Sequence, residues 1–376
     1  VSHKADASFF DNKKPWSRKK DQILDHYLKP YFAKIKDLKE PLYLIDAFAG
    51  PGRFRNGDDG SPLIFAKNAA PLADIGYPVT LLCIETVENL YEDLCQNLLP
   101  YSFADPRKGE FLSFISEISM KAQSHTTFLY VDPYAVKGLA WEQLERVIHN
   151  VSNSSVEVLL NFNAPIFVRW GWQLIKGESH PPGISYDELE EMDNEEFDSE
   201  TPPIEKLNLI AGGEWWREVL EASTDFHRQC IGIVDGICRK LTNHFREVLY
   251  VAIKDGHKPV PKYYMVFATR SEHGLVLMND RMLIATGEQE LISNPLYGLA
   301  TLKEKILEAL KQWTRRDQLI KRVIRENFCK FLYKQIRSCI TELRDSGQLE
   351  TDSGRKRMND DTLVRRTADA KNVRQQ

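Results

Sequence analysis

The stretch LIDAFAGPGRF, residues 44–54, decides how the rest of the chain is read. An apolar run from Leu42 ends in Asp46, and Gly50 and Gly52 follow closely. A chain that leaves a buried strand and turns sharply favours residues without a Cβ. So does a backbone that a ligand approaches closely. A helix candidate over 61–71 comes next, where Ser61 reads as the cap. A second apolar run, VTLLCIE (79–85), then ends in Glu85, 33 residues beyond Gly52. An acid at the end of a second strand is placed to accept hydrogen bonds from ribose hydroxyls. Strand, Gly-x-Gly turn, helix and strand-end acid in series describe a nucleoside-binding crossover. No GKS or GKT follows the turn, which excludes a P-loop.

Working outward, the same alternation continues. TTFLYVD (126–132) and VEVLLNF (156–162) are nearly continuous apolar runs, as strands buried on both faces should be. Helix candidates lie over 87–98, 110–122 and 141–149, and a poorly defined strand is expected near 102–106. The order is that of a doubly wound parallel sheet. EVLYVAI (247–253) and YYMVFAT (263–269) flank a short polar stretch that contains Lys258-Pro259 and Pro261, and they read as an antiparallel closing hairpin. Upstream, 17–38 reads as an N-terminal helical segment, opened by Arg18, Lys19 and Lys20 and striped by Ile23, Leu24, Tyr27, Leu28, Tyr31, Phe32 and Ile35. Residues 164–230 interrupt the pattern. From Glu178 to Glu205 there are 11 acidic residues and no Lys or Arg, which predicts a mobile acidic insertion.

The C-terminal residues 301–366 read as a separate unit. Helices over 301–312, 316–326 and 330–346 are followed by a two-stranded ribbon, the order of a winged helix. Its basic positions are Lys330, Lys334, Arg337 and Arg344 on the third helix and Arg355, Lys356 and Arg357 in the turn, with Lys330, Lys334, Arg337, Arg355, Lys356 and Arg357 as the candidate contacts. From Thr301 onward, 19 Lys and Arg stand against 11 Asp and Glu, a balance of +8; the net charge of −4 then leaves −12 on the first 300 residues. A basic module on an acidic body points to a nucleic-acid contact localised there, DNA or RNA, with a solvated helical surface as the alternative. Residues 367–376 are a polar tail.

A parallel sheet finished by an antiparallel pair is the pattern of a class I, Rossmann-like methyltransferase, here within 41–290. That reading gives Asp46 a role, because an acid near the turn suits the cationic amino-acid end of S-adenosylmethionine, which carries no phosphate. The fourth strand ends in Asp132-Pro133-Tyr134, at the carboxyl end of a central strand, where open α/β sheets place their ligands. A carboxylate and a carbonyl there suit an exocyclic amine, with the ring stacked on a base that is extruded or single-stranded. Glu110 and Phe111 open a helix after the third strand, where Phe111 is set to stack on the adenine. Asn161 and Asn163 end the fifth strand and either face the pocket or make structural hydrogen bonds.

DAFAGPGRF, DGSPLIFA (59–66), VDPYAVKGL (131–139), VLLNF (158–162) and YYMVFATRSEHGLVLMNDRM (263–282) together resemble the three-Cys-motif partner protein family (TcmP). The resemblance runs from about Trp16 to Met282, and the C-terminal unit resembles the winged helix these proteins often carry. It implies a methyltransferase-like fold and a three-Cys-motif radical-SAM-like protein as partner. The turn also resembles that of bacterial ribosomal RNA adenine-N6 methyltransferases. That similarity puts Asp46, Gly50, Gly52 and Glu85 on cofactor positions, with Phe48 in the same turn, and Asp132, Pro133 and Tyr134 on the catalytic turn. Amino-group methyltransferases commonly have two prolines in that turn; this chain has one.

The remaining composition narrows the class. No run of 18 apolar residues predicts a membrane span, and the first residues lack the apolar core of a secretory signal, so a cytoplasmic protein is expected. The six cysteines form no Cys-x-x-Cys pair, and the nine histidines form no HExxH or HxH, so neither a metal site nor a disulfide framework is indicated. Two functions fit: methyl transfer to a base amine of DNA or RNA, or a methyltransferase-like scaffold that binds nucleic acid or a partner without chemistry. A winged-helix regulator with a degenerate enzyme domain is a third.

Overall fold

Three strands are buried along their whole length, and they form the middle of the sheet: β1 (Leu42–Asp46), β4 (Thr126–Val131) and β5 (Val156–Phe162). The computed structural model describes residues 10–133, 138–149, 155–178, 181–185, 202–254, 260–293, 298–352 and 358–367. Seven strands run in the order β3-β2-β1-β4-β5-β7-β6, with β2 at Val79–Glu85, β3 at Ala104–Lys108, β6 at Glu247–Ile253 and β7 at Tyr263–Thr269. β1 to β5 are mutually parallel, and β7 is antiparallel to both β5 and β6. A parallel sheet closed by an inserted antiparallel strand is the class I methyltransferase fold. β3 lies two residues beyond its expected place. It is the edge strand and half-exposed, so the apolar signal is weak, and Pro106 is tolerated there.

The helices of this first unit are α1 (Pro15–Ile35), α2 (Ser61–Asp74), α3 (Glu88–Leu98), α4 (Phe111–Ala122), α5 (Trp141–His149), α6 (Ala164–Lys176), α7 (Ile204–Ala211), α8 (Trp216–Ala222) and α9 (Phe226–Leu241). The stretch read as an insertion is therefore largely helical at its flanks. Trp170, Trp216, Leu220 and Phe226 are buried in the main core with Val158, Leu160 and Val266. On α9, a Cβ at Gly236 would stand 1.9 Å from the Trp215 ring, and one at Gly232 would stand 2.6 Å from Val219. Those two glycines are the seat into which the α8 region packs. Residues 186–201, which hold most of the acidic run and its expected mobility, lie outside the described residues.

Strand periodicity sorts the sheet into two faces. Leu44 and Asp46, Phe128 and Tyr130, and Glu157 and Asn161 share the face covered by α1 and α2. There Tyr27 of α1 packs on Phe128 and Phe267, and Phe65 of α2 packs on Phe128. Each such aromatic, wholly buried, contributes roughly 1.5–3 kcal/mol from area alone. Under this layer lies a buried carboxyl, Glu157, which accepts from Tyr27 Oη (2.5 Å) and Thr269 Oγ1 (2.8 Å). Burial raises it to about 7, against the pull of those two hydrogen bonds.

The second compact unit spans Glu272–Gln376. It contains α10 (Glu272–Ser293), α11 (Leu299–Ala309), β8 (Thr314–Arg315), α12 (Arg316–Glu326), α13 (Tyr333–Asp345), β9 (Leu349–Thr351) and β10 (Leu363–Arg366). Its small antiparallel sheet runs β8-β10-β9. Helix α10, read from the sequence as the end of the sheet domain, is tied to this unit by Asn279. That buried amide donates to Phe331 O (2.9 Å) and accepts from Cys329 N (2.9 Å). All six cysteines are free thiols.

Replacing Tyr27 with Phe keeps the ring packing and strands Glu157 Oε2. The expected cost is about 1–3 kcal/mol, read from urea unfolding at neutral pH. An unchanged midpoint would remove Tyr27 as the partner that matters.

Candidate functional site

At the carboxyl end of β1 the chain makes three backbone commitments that shape the turn. Ala47 N donates to Tyr130 O (3.0 Å), Ala49 N to Ile84 O (2.8 Å), and Gly60 N to Gly52 O (2.8 Å). Gly50 and Gly52 take φ of 62° and 80°, where a side chain is strained. Gly50 also has Phe10 over it, 3.0 Å from where a Cβ would lie. The cap expected from Ser61 is not made. Gly60 is the N-cap of α2, and the Ser61 hydroxyl is a hydrogen-bond partner of Asp46.

Asp46 is fully buried, and its Oδ2 has no partner. Burial raises its carboxyl to about 7; the Ser61 hydrogen bond opposes this, and the charge of Asp132 adds to it. Glu85 is also nearly buried, yet its oxygens are well supplied. Oε1 accepts from Thr86 N and Val87 N (both 2.7 Å), and Oε2 accepts from Gly50 N (2.9 Å). The strand-end acid thus holds the glycine turn in place, and Oε2 keeps one lone pair in reserve.

Asp132 is held from three directions. Lys20 Nζ reaches Oδ1 (2.9 Å) and Oδ2 (2.8 Å), Tyr130 Oη donates to Oδ2 (3.1 Å), and Asn161 Nδ2 donates to Oδ1 (2.8 Å). The Lys20 ammonium also lies 4.7 Å above the Tyr263 ring, at the head of β7. Beside it, Lys13 pairs with Asp21 and donates to Asp59 O (2.6 Å). Burial raises Asp21 to about 6 against the attraction of Lys13. The result is a compact cluster of Lys13, Lys20, Asp21, Asp46, Asp132 and Asn161 at the carboxyl ends of β1, β4 and β5.

Of the residues expected from the sequence, Asp46, Gly50, Gly52, Glu85 and Asp132 come together here, with Pro133 beside Asp132. Phe48 is half-buried, 6.2 Å from the ring of Phe111, which is itself in the core. Glu110 is exposed at the N-cap of α4. Tyr134 lies outside the described residues. In the second unit, Lys330, Lys334 and Arg337 are exposed, and Arg337 lies over the Tyr333 ring at 5.4 Å. Arg355, Lys356 and Arg357 lie outside the described residues. Among the described residues no cluster of His, Cys, Asp and Glu is arranged to hold a metal, and no helix is long and apolar enough to cross a membrane.

Lys20 was missed as a site residue, although the sequence carries a signal for it. On the stripe Trp16, Lys20, Ile23, Tyr27, Tyr31, position 20 falls on the buried face, whereas Arg18 and Lys19 do not. A lone lysine on an apolar stripe needs a buried acid. Tyr130 carried no such signal, since within an apolar strand it reads as core.

No protein-family model matches the chain, and no curated protein matches it. Among solved structures, it is similar to the plantazolicin methyltransferase BamL, solved with a triazolic desmethylPZN analog and SAH. That match is 12% identical, covers 72% of this chain and 92% of that one, and has a TM-score of 0.31. Aeropyrum pernix fibrillarin, solved with S-adenosyl-L-methionine, matches at 12% identity over 65% of this chain and 76% of that one, with a TM-score of 0.27. PKMT2 from Rickettsia typhi matches at 9% over 85% and 73%, with a TM-score of 0.32. Likeness at this level adds nothing to what the strand order already establishes about the fold.

The elevated carboxyl of Asp46 has a sign that can be tested. Its folded value of about 7 lies above the ordinary 3.8, so the folded state holds the proton more tightly. The stability this confers is present below pH 4 and is lost as pH rises through 7. Asp46→Asn should therefore raise Tm at pH 8 and give a smaller gain at pH 5. Equal offsets at both pH values would show that Asp46 does not titrate in this range.

Proposed function

We propose that the protein transfers a methyl group from S-adenosylmethionine to a base amine of DNA or RNA. The observation that carries this is the cluster itself. A buried acid with an unpartnered oxygen, Asp46, stands beside a glycine turn braced by Glu85, and Asp132-Pro133 lies on the neighbouring strand end. The residues fit the cofactor. Asp46 Oδ2 suits its ammonium, and the remaining lone pair of Glu85 Oε2 suits a ribose hydroxyl. When bound, it supplies a sulfonium methyl: the amine lone pair forms the new C–N bond, the C–S pair stays on sulfur, and the amine proton passes to water. The chain's own contribution is placement of the amine, which is worth most where water is excluded.

Labelled S-adenosylmethionine, incubated with the protein and with total RNA or genomic DNA, tests this directly, the product nucleoside being identified after hydrolysis. Absence of label in both would overturn it. A second reading has one observation in its favour. Lys20 occupies both oxygens of Asp132, which suits a scaffold that binds nucleic acid, or a three-Cys-motif radical-SAM-like partner, without transfer. The same assay separates the two.

S-Adenosylhomocysteine is the binding probe. Its ammonium pairs only with ionised Asp46, so affinity measured by calorimetry should hold near pH 7.5. It should fall below pH 7, by up to about tenfold per pH unit, as the acid protonates. Glu85→Ala should weaken binding further. A flat profile from pH 5.5 to 7.5 would remove Asp46 from the ammonium site.

For the second unit we infer a winged helix that contacts nucleic-acid phosphates. The helix–strand–helix–helix–strand–strand order, the β8-β10-β9 sheet and the exposed Lys334 and Arg337 on α13 support it. With the full chain, K334A/R337A should flatten the dependence of log affinity on log salt by about 1.5 to 2 for duplex DNA. An unaltered slope would assign those side chains elsewhere.

A further inference from the structure

The saturation of Asp132 raises a chemical question: which atom at this strand end is left to receive an amine? A carboxylate offers about four lone-pair directions, and it is acceptor-only when ionised. Lys20 takes one on each oxygen, Asn161 one on Oδ1 and Tyr130 one on Oδ2, so none remains.

Asn161 is in the opposite condition. It stands opposite Asp132, one step beyond the paired residues Val131 and Leu160, and only 4% of it is exposed. Its Nδ2 donates to Asp132, and its Oδ1 is buried with no partner. The orientation of this amide is not a free choice. Only the nitrogen can face an acceptor-only carboxylate, so the oxygen must face away from it. A buried acceptor without a donor costs roughly 1–3 kcal/mol, and folded proteins rarely leave one idle. The group it awaits carries an N–H or O–H. Phosphate and carboxylate, which offer only acceptors, do not fit it.

We infer that Asn161 Oδ1 is the atom that receives the substrate amine, and that Asp132 is a positioning residue acting through Asn161. This rests on the methyl-transfer reading above. The substrate's N–H donates to Asn161 Oδ1, which fixes the direction of the nitrogen lone pair. The amide oxygen accepts a hydrogen bond only, and the proton leaves to water once the C–N bond has formed. Lys20 plays the matching part. Its ammonium donates to both oxygens of Asp132, and an acceptor at that place dictates which way the Asn161 amide turns. The Lys20 ammonium then need not leave for the amine to bind. The ligand class is an amine or amide nitrogen bearing hydrogen, which on a nucleobase means an exocyclic amino group or a ring N–H.

The experiment measures transfer from S-adenosylmethionine to a mixed-sequence single-stranded oligonucleotide, beside S-adenosylhomocysteine affinity and Tm. Asn161→Ala should lower kcat about a hundredfold, as removal of an orienting hydrogen-bond partner does. KM and S-adenosylhomocysteine affinity should stay within about threefold. Asn161→Ser, whose hydroxyl oxygen also accepts, should recover part of the loss. It also serves as the test if the alanine variant does not fold. Asp132→Asn keeps an oxygen for the Asn161 amide and should retain transfer to within about tenfold. An Asn161→Ala enzyme within about threefold of wild type overturns the inference. So does an Asp132→Asn enzyme that is dead while Asn161→Ser is active, since the carboxylate would then be acting on the amine itself. A wild type that transfers nothing overturns the methyl-transfer reading, and this inference with it; a transferring wild type with an unimpaired Asn161→Ala variant overturns the inference alone.

Discussion

The pairing of Lys20 with Asp132 is the interaction on which the site depends. It joins the helix that precedes the sheet to the end of the central strand, and both partners are largely withdrawn from water. Removing one partner from such a pair leaves the other uncompensated, which costs more than the pair's net contribution to stability. The ammonium has little alternative, because around it lie Asp132 and the face of Tyr263. The N-terminal helix is therefore part of the site's wall. Its aromatic stripe, with Tyr27 and Tyr31 packed on Phe128, fixes the depth at which Lys20 is delivered.

Three carboxyls on one side of the sheet, Asp21, Asp46 and Glu157, are held above their ordinary range by burial. Glu157 accepts hydrogen bonds at both oxygens, Asp21 has Lys13, and Asp46 alone has an oxygen with nothing to meet it. That difference separates a buried acid whose hydrogen bonds are complete from one with an oxygen still open. Burial by itself does not make the distinction, whereas the state of each lone pair does.

Much of this was legible in the sequence because the strands are apolar throughout. The runs ending in Asp46, Glu85, Asp132 and Phe162 read as buried parallel strands, and the acids at their ends as a site. The expected hairpin is present as β6 and β7. Other features were hidden for physical reasons. β3 is an edge strand of charged residues and proline, where no apolar pattern is needed. The helices α7 to α9 sit beyond an acidic run whose composition masks the core-forming Trp216 and Phe226 around it. Most of all, Asn161 could be placed at a strand end but not given a role, because that role depends on which way its amide faces. Asp132 decides the direction from the adjacent strand.

Trp215 and Gly236 illustrate how such packing constrains the history of a chain. Any side chain at 236 would fall inside the Trp215 ring, so a glycine replacement there is acceptable only after 215 has already become smaller. The reverse order, a smaller residue at 215 first, leaves a void, which is costly but survivable. The two positions can therefore exchange only along one path. Descendants of this sequence should keep both residues or have lost the tryptophan before the glycine.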